Sequence, residues 1–387
     1  MGLTITDSQH YANIAAAIRA KNGSDSVYRP SMMATAIYAL SVDGEAQQNA
    51  GDALALGYLE EAKFCSATSI RERAFYSMTM LTLADFQSCT TIGGAAFAKC
   101  DSLSEANFPI CESVGYGAFS QCGALPHMSL PYCTTIGEMA FMSCSALSYV
   151  YAPSVTSIGD SAFNSCFSLA AADYPICTTV GSNAFKQCRA LSVANFPMLS
   201  FAASYMMRGC TSLTGVDLAR CEYVGYGAFS GCTSLSAIDL PMCSALGTDA
   251  FCECSSLASV SMPLCTIVGT SAFARCRSLQ SVNLEACETL GVSAFAMCTS
   301  LSLVVLPNCS EINASAFTSC SMLTTLDMRS VRAVTSLYGS NAFMSTPIGG
   351  YSDVAGAYGR IIVPASLYSD FVSASAWSFF ASRFVSV

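Results

Sequence analysis

The chain has 387 residues, of which 52% are hydrophobic and only 11% are charged, and its formal net charge is −9 at pH 7. An acidic chain without a basic tract is a poor ligand for nucleic acid, because binding to the phosphate backbone depends on Lys and Arg. No uninterrupted apolar run reaches the roughly 18–20 residues of a membrane-spanning helix. The composition therefore argues against nucleic-acid binding and against a membrane span.

Residues 1–42 differ from the rest and predict a helical N-terminal attachment module of two short helices. Thr6 or Asp7 can cap the first helix, and Pro30 in a first-turn position begins the second, SMMATAIYAL. A hairpin of this size buries little surface alone, so we expect it to cap the rest of the protein or to dock on a partner. The polar residues 43–64 are expected to form a linker. The chain begins without a basic segment followed by an apolar one, so no secretory signal is predicted.

From residue 65 to about residue 335 the sequence repeats with a fixed period of 22 residues. An aromatic residue marks each repeat, and Met207 takes its place once. The aromatic column consists of Phe75, Phe97, Phe119, Phe141, Phe163, Phe185, Phe229, Phe251, Phe273, Phe295 and Phe317. A constant period of this length predicts a solenoid, in which each repeat forms one coil that packs on its neighbours.

Each repeat reads approximately I-G-x-x-A-F-x-x-C-x-S-L-x-x-V-x-L-P-x-C-x-x. Within Leu103–Cys111, the residues Leu103, Ala106 and Phe108 alternate as in a short strand that faces a core, with the spacing of a leucine-rich repeat. The glycine column that begins at Gly93 predicts a positive φ or a close approach of two backbones. The sequence therefore predicts an α/β repeat solenoid, with a leucine-rich-repeat parallel β-sheet of about twelve 22-residue coils.

The cysteines follow the same period. All of the 22 cysteines except Cys65 and Cys252 lie three or fourteen residues after the aromatic position. Zinc sites use closely spaced Cys and His pairs, and the chain has only two histidines, His10 and His127. Because a buried free cysteine packs as a small hydrophobe, we predict a structural ladder of reduced thiols and no metal centre.

The period breaks after Phe317, and residues 336–387 predict a C-terminal cap. The next Ala-Phe pair ends at Phe343, and a glycine-rich loop and a last strand, IIVP, follow it. PASLYSDFVSASAWSFFASRF is expected to form an amphipathic helix with Leu367, Phe371 and Trp377 on its apolar side. A solenoid needs such an atypical final unit to cover the open end of its core.

Two resemblances to known families rest on these residues. The phrase I-G-x-x-A-F-x-x-C-x-S-L, over about residues 66–335, resembles the BspA-type (Treponema pallidum-type) leucine-rich repeat family. That resemblance implies a bacterial or phage surface protein that binds proteins or glycans without catalysis. YANIAAAIRAKNGSDSVYRPSMMATAI, from Tyr11 to Ile37, is similar to an N-terminal segment of phage and prophage tail-associated proteins. It implies that residues 1–42 attach the protein to a phage tail or an envelope assembly.

The non-core positions of the strands give the candidate binding residues. Small polar and acidic residues dominate the outward column, which includes Tyr151, Asp173, Asn195, Asp217 and Asp239. His127, Tyr149 and Tyr151 are expected to cluster on two neighbouring strands, with Tyr132 close to them in sequence. Exposed aromatic groups are suitable anchors for a sugar or a protein, although scattered exposed aromatics are also normal on protein surfaces.

Asp217 and Asp239 lie in successive coils, so the strand spacing would place their carboxylates about 5 Å apart. This separation is near that of a retaining glycosidase pair, and it also suits a cation such as Ca²⁺. We expect instead that both carboxylates are solvated, because a regular ladder has no cleft to raise one pKa. The sequence has no Ser-His-Asp or Cys-His arrangement and no phosphate loop, so we predict no enzyme and no cofactor.

The sequence as a whole predicts a non-enzymatic recognition or adhesion protein. The first interpretation is a phage or prophage tail-associated protein, on the virion or extracellular surface, that binds a host-surface protein or glycan. The alternatives are a bacterial cell-surface adhesin of the BspA type and a structural repeat protein that assembles without a ligand. Several copies acting together would add avidity to the weak contacts of a regular face, so a homo-oligomer is compatible with this prediction.

Overall fold

The computed structural model describes residues 4–5, 40–41, 60–350 and 358–387. The N-terminal helices predicted from the sequence lie outside the described residues, except for Leu40, which belongs to a strand. The chain divides into two compact units: unit 1 ends at Leu191, and unit 2 begins at Ser192. Both units are parallel β-solenoids of the leucine-rich-repeat type, and the chain has about 14 turns of about 22 residues.

Each turn of unit 1 has a three-residue strand and a two-residue strand. The three-residue strands are Glu61–Lys63, Leu83–Asp85, Glu105–Asn107, His127–Ser129, Tyr149–Tyr151 and Ala171–Asp173. The two-residue strands are Ser69–Ile70, Thr91–Ile92, Ser113–Val114, Thr135–Ile136, Ser157–Ile158 and Thr179–Val180. We call the outward side of the three-residue strands face A and that of the two-residue strands face B.

Unit 2 repeats this arrangement. Its face A strands are Val193–Asn195, Gly215–Asp217, Ala237–Asp239, Ser259–Ser261, Ser281–Asn283, Leu303–Val305, Thr325–Asp327, Arg360–Val363 and Phe384–Ser386. Its face B strands are Phe201–Ala202, Tyr223–Val224, Ala245–Leu246, Ile267–Val268, Thr289–Leu290, Glu311–Ile312 and Ser336–Leu337. In both units the paired strands of successive repeats are parallel and in register, so equivalent residues stand in columns.

The first turn of unit 1 begins earlier than the sequence predicts. Glu61–Lys63 lies within the predicted linker and pairs in register with Leu83–Asp85. Thr4–Ile5 pairs in parallel with Glu61–Ala62, and Leu40–Ser41 pairs antiparallel with Ser69–Ile70. The backbone of the N-terminal segment therefore adds one strand to each of the two ladders.

The third side of each turn consists of tight turns and not of helix. Ala95 and Lys99 have left-handed φ values of 51° and 63°. The N–H groups of Ala95, Phe97 and Lys99 donate to carbonyls of the next turn at 2.6–2.8 Å. Of the two alternatives predicted for the glycine column, close approach is the one found: a Cβ on Gly137 would lie only 2.7 Å from the carbonyl carbon of Gly115.

Stacked phenylalanines fill the core of both units. In unit 1 the ring centroids of Phe119, Phe141 and Phe163 follow one another at 5.3 Å. In unit 2 Met207 is buried in the position where Phe is missing. Phe343 stacks on Phe317 at 5.5 Å although it comes 26 residues later. The break in the period therefore leaves the aromatic column intact.

The C-terminal cap contains less helix than the sequence predicts. The only α-helix in the described residues is Tyr368–Ser373, and it lies between the 3-10 segments Ala365–Leu367 and Ser378–Arg383. A further 3-10 segment spans Ser340–Phe343. The prediction of one long helix is wrong: the backbone is extended at Ala374, directly after the α-helix, and the last residues, Phe384–Ser386, form a strand that pairs with Arg360–Val363.

Trp377 packs and hydrogen-bonds the C-terminal cap onto the last full turn of unit 2. Its side chain is buried, and its Nε1 donates a hydrogen bond of 2.6 Å to the carbonyl of Thr335. Phe371, which is also predicted on the apolar side, is buried and contacts the Trp377 ring edge to face, with centroids 5.7 Å apart. Leu367, the third residue predicted there, is only half-buried, so two of the three apolar positions are confirmed.

Candidate binding faces

Face A of unit 1 presents the aromatic residues singled out in the sequence. In the parallel register Tyr149 pairs with His127, and Tyr151 pairs with Ser129. The alternate residues Met128 and Val150 are buried, so the histidine and both tyrosines point outward. We define the face A cluster as His127, Tyr132, Tyr149 and Tyr151.

The face A cluster is exposed and is held by a regular framework. Tyr149, Tyr151 and Tyr132 expose 44%, 47% and 61% of their surface. The hydroxyls of Ser148 and Ser154, which flank the second strand, each donate a 2.8 Å hydrogen bond to a carbonyl of the preceding turn. These bonds fix the segments on both sides of the strand, so the cluster lies on a rigid support.

Exposed aliphatic residues extend the face A cluster to both sides. Ile110 follows the strand of the preceding turn, and Ile176 follows the strand of Asp173; both are exposed. The acidic side chains of Glu105 and Asp173 stand in the neighbouring strands. Face A of unit 1 is therefore aromatic at its centre and acidic at its margins.

Asp217 and Asp239, the carboxylates predicted on face A of unit 2, stand in strands of successive turns that contact each other but belong to separate hydrogen-bonded ladders. Asp217 pairs in register with Asn195, and Asp239 pairs with Ser261. The Asp217 carboxylate accepts a hydrogen bond of 3.1 Å from the N–H of Ala219, so it stabilises its own turn. Among the described residues, no group of three or more His, Cys, Asp or Glu side chains could hold a metal ion.

The cysteine columns are part of the scaffold. All 22 thiols are free, and all but Cys65 and Cys252 are buried. The Sγ of Cys100 donates to the carbonyl of Phe75 at 3.0 Å, and the Sγ of Cys111 donates to the carbonyl of Ser113 at 3.3 Å. Burial raises the pKa of Cys100 to about 12 and the pKa of Cys133 to about 11. Protonated thiols of this kind are poor nucleophiles and poor metal ligands.

Face B of unit 2 has an aromatic cluster that the sequence analysis missed. The rings of Phe201 and Tyr223 are parallel, with centroids 5.4 Å apart, and they expose 47% and 37% of their surface. Tyr205 and Tyr226 meet edge to face at 4.9 Å, and the guanidinium of Arg208 lies 5.1 Å from the Tyr205 ring centre. We define the face B cluster as Phe201 and Tyr223, which lie on face B, together with Tyr205 and Tyr226 in the tight turns that follow these two strands.

A signal for the face B cluster is present in the sequence. In unit 1 the column equivalent to Phe201 and Tyr223 contains only hydroxyl residues: Ser69, Thr91, Ser113, Thr135, Ser157 and Thr179. The coil Ser200–Cys210 also departs most from the repeat. Aromatic residues in a column of Ser and Thr would have indicated an outward cluster once the two-residue strand was known to exist.

The repeats of this chain match a known family. The model of the BspA type Leucine rich repeat region (6 copies) matches residues 68–192, 156–264 and 222–348. The fold and these repeats define a leucine-rich-repeat solenoid, a class that consists typically of non-enzymatic protein-interaction scaffolds. The chain belongs to the BspA-type leucine-rich repeat family, whose members are typically bacterial cell-surface proteins.

Three solved structures illustrate the similarity. A leucine rich cell surface protein from Faecalibacterium prausnitzii is 24% identical, with a TM-score of 0.44 over 71% of this chain and 80% of that one. A leucine-rich repeat protein from Bacteroides ovatus is 23% identical, with a TM-score of 0.45 over 67% and 82%. The Treponema pallidum leucine-rich repeat protein is 24% identical, with a TM-score of 0.33 over 44% and 72%.

No curated protein matches the sequence of this chain. Among the described residues, no helix is both long enough and apolar enough to cross a membrane.

Proposed function

We propose that this chain is a non-enzymatic adhesion protein of the bacterial cell surface and that face A of unit 1 binds a protein on the surface of a host cell. Membership of the BspA-type family supports the surface location. The observation that most directly supports the binding role is the exposure of Tyr149 and Tyr151 on face A, with Tyr132 exposed in the turn after the neighbouring strand. Tyrosines in the centre of an interface often contribute most of the binding free energy.

The chemistry around the face A cluster fits a protein partner. Each tyrosine has a large apolar ring and a hydroxyl that can find a partner after the ring is buried. The exposed Ile110 and Ile176 would enlarge the apolar centre, and Glu105 and Asp173 would form its polar rim. A basic rim on the partner would complement these carboxylates. A glycan remains the second ligand class, since His127 and the tyrosine hydroxyls also hydrogen-bond to sugars.

Binding to cultured epithelial cells tests this proposal. The double variant Tyr149→Ser/Tyr151→Ser should bind at least about tenfold more weakly than the wild type, because it removes two central anchors. Protease treatment of the cells should abolish wild-type binding, whereas enzymatic removal of glycans should not. Thr135→Ala/Ser157→Ala, a paired position on face B of unit 1, is the matched control and should bind like the wild type.

Other outcomes would overturn the proposal in identifiable ways. Equal binding by the wild type and by Tyr149→Ser/Tyr151→Ser would exclude face A of unit 1. Binding that survives protease but is lost after glycan removal would favour a glycan on this face. If the chain binds no cells and instead forms concentration-dependent assemblies, the structural alternative without a ligand would replace the adhesion protein.

The N-terminal resemblance to tail-associated proteins gives a second candidate location, the phage or prophage virion, with residues 1–42 as the attachment segment. Deletion of residues 1–42 separates the two locations. Loss of incorporation into phage particles with unchanged cell binding would favour the virion. Because Thr4–Ile5 and Leu40–Ser41 each pair with unit 1, the thermal unfolding of the truncated chain must be measured beside the wild type.

A further inference from the structure

The face B cluster of unit 2 combines stacked rings with a polar surround. Glu222 and Ser244 are exposed beside Tyr223, and Ser204 is half-buried next to Tyr205 in the chain. Thr248 and Asp249 are half-buried in the turn that follows Tyr226, where the carbonyl of Thr248 accepts a hydrogen bond of 2.9 Å from the N–H of Gly227. These neighbours are hydroxyl or carboxylate residues, in contrast to the isoleucines beside the face A cluster. A ligand for this surface must therefore offer an apolar plane for the rings and hydrogen-bonding groups at its edge.

Glycines fix two of the rings against the backbone. A Cβ on Gly227, whose φ is +55°, would lie 2.9 Å from two ring carbons of Tyr205. A Cβ on Gly247 would lie 3.1 Å from the hydroxyl of Tyr223. Both tyrosines thus pack against the backbone of a glycine. Such packing restricts the two side chains before a ligand binds, which lowers the entropic cost of binding.

The hydroxyl of Tyr226 interacts with the hydroxyl of Tyr205 and with the carboxylate of Asp249. The hydrogen bond and charge of Tyr205, followed by the charge of Asp249, raise the pKa of Tyr226 to about 12. Tyr226 therefore stays a neutral hydroxyl that can both donate and accept hydrogen bonds. Glu222 and Asp249 make the surroundings acidic, and the chain has a net charge of −9, so a polyanionic ligand would be repelled.

We propose that the face B cluster of unit 2 binds a neutral carbohydrate. The C–H face of a pyranose ring matches the stacked rings of Phe201 and Tyr223, and its hydroxyls match the phenols, Asp249 and Arg208 at the edge. A protein partner fits this surface less well, because it would desolvate Glu222 and Asp249 while the apolar centre in return is limited to the two stacked rings of Phe201 and Tyr223. The site lies on a different face from the face A cluster of unit 1, and it does not depend on the adhesion partner proposed for that cluster.

Affinity electrophoresis of the full chain in gels that contain starch, mannan or mixed-linkage β-glucan tests the proposal. At least one of these neutral polysaccharides should slow the wild type. Phe201→Ser/Tyr223→Thr, which introduces the residues of the equivalent column in unit 1, should weaken that interaction by roughly tenfold or more. Thr135→Ala/Ser157→Ala, a paired position on face B of unit 1 that belongs to neither cluster, is the matched control and should migrate like the wild type.

A further gel contains the polyanion hyaluronan. Three results would overturn the proposal: no retardation in any of the gels, equal retardation of Phe201→Ser/Tyr223→Thr and the wild type, or retardation only in the gel that contains hyaluronan. The thermal unfolding of each variant is measured first. If the double variant unfolds early, Tyr226→Phe provides the test, because it removes one hydroxyl and keeps the ring. It should weaken binding several-fold. Cell binding through face A can fail independently of every one of these outcomes.

Discussion

Units 1 and 2 are built from the same turn, but their aromatic side chains lie on different faces. Unit 1 has the tyrosines on face A and a row of Ser and Thr on face B. Unit 2 has Asp217 and Asp239 on face A and the stacked Phe201 and Tyr223 on face B. The inward columns of Phe, Cys and Leu are alike in both. The size of the inward side chains is restricted by close packing between turns. The outward positions of the strands accept different side chains, so the ligand surface can change without a change of fold.

Of the changes that we predict, alkaline pH should lower the stability of the shared scaffold the most. Burial raises the pKa of Cys89, Cys133 and Cys177 to about 11, above the value of about 8.5 for an unfolded thiol. Their stabilising contribution is complete below about pH 8.5 and is lost as the pH rises towards 11, because only the unfolded chain releases the protons. Each thiol lowers the free energy of unfolding by about 1.4 kcal/mol for each pH unit between the two pKa values. Urea unfolding at pH 8, 9 and 10 measures the decline.

This prediction has two checks. A free-thiol count near 22 in the denatured chain is expected, and a count near zero would contradict the reduced ladder. Replacement of the exposed Cys65 by serine should leave the pH dependence unchanged. A urea midpoint that stays constant from pH 8 to pH 10 would show that the buried thiols do not keep their protons in the folded state.

Truncation of one core ring in each unit should have the next largest effect. Phe141 and Phe273 are fully buried between two stacked rings. Phe141→Ala and Phe273→Ala should each lower the free energy of unfolding by about 3–5 kcal/mol, because each leaves a cavity in the stack. Urea midpoints of the two variants should fall by similar amounts. A loss confined to one variant would mean that the two cores are not equivalent.

The fixed period of 22 residues predicted the features that every turn repeats. A side chain that packs between two turns must have the same size in each, so the columns of Phe97, Cys100 and Leu103 are visible in the sequence. The outward direction of His127, Tyr149 and Tyr151 follows from the alternation of a strand, and the structure agrees. The binding role of these residues stays a prediction.

Other features depend on contacts that the sequence does not display. The left-handed positions are occupied by residues as different as Ala95, Lys99 and Met139, because hydrogen bonds between turns impose the conformation against local preference. Phe201 and Tyr223 were missed because the second strand has only two residues and leaves no alternating pattern. The C-terminal helix ends early, at Ser373: Ala374 is extended, and Trp377 after it donates a hydrogen bond to the carbonyl of Thr335, a contact 42 residues away in the chain.

The smallest effect we predict comes from two glycines in equivalent positions. Gly117 and Gly227 have φ values of 56° and 55°, but a Cβ on Gly117 would meet only Ser120 at 3.9 Å, whereas a Cβ on Gly227 would lie 2.9 Å from the Tyr205 ring. Gly117→Ala should cost about 1 kcal/mol through backbone strain alone. Gly227→Ala should cost about 1–3 kcal/mol, because the ring must also move.

The same two variants also test whether the loss of stability is accompanied by a loss of ligand binding at the face B cluster. Gly227→Ala displaces a ring of the face B cluster, so it should also weaken retardation by a neutral polysaccharide, while Gly117→Ala should not. Urea unfolding and affinity electrophoresis of the two variants provide both measurements. Equal losses of stability would mean that the Tyr205 ring does not rest on Gly227. In that case the rigid support argued for the face B cluster would be absent, although the stacking of Phe201 on Tyr223 would remain.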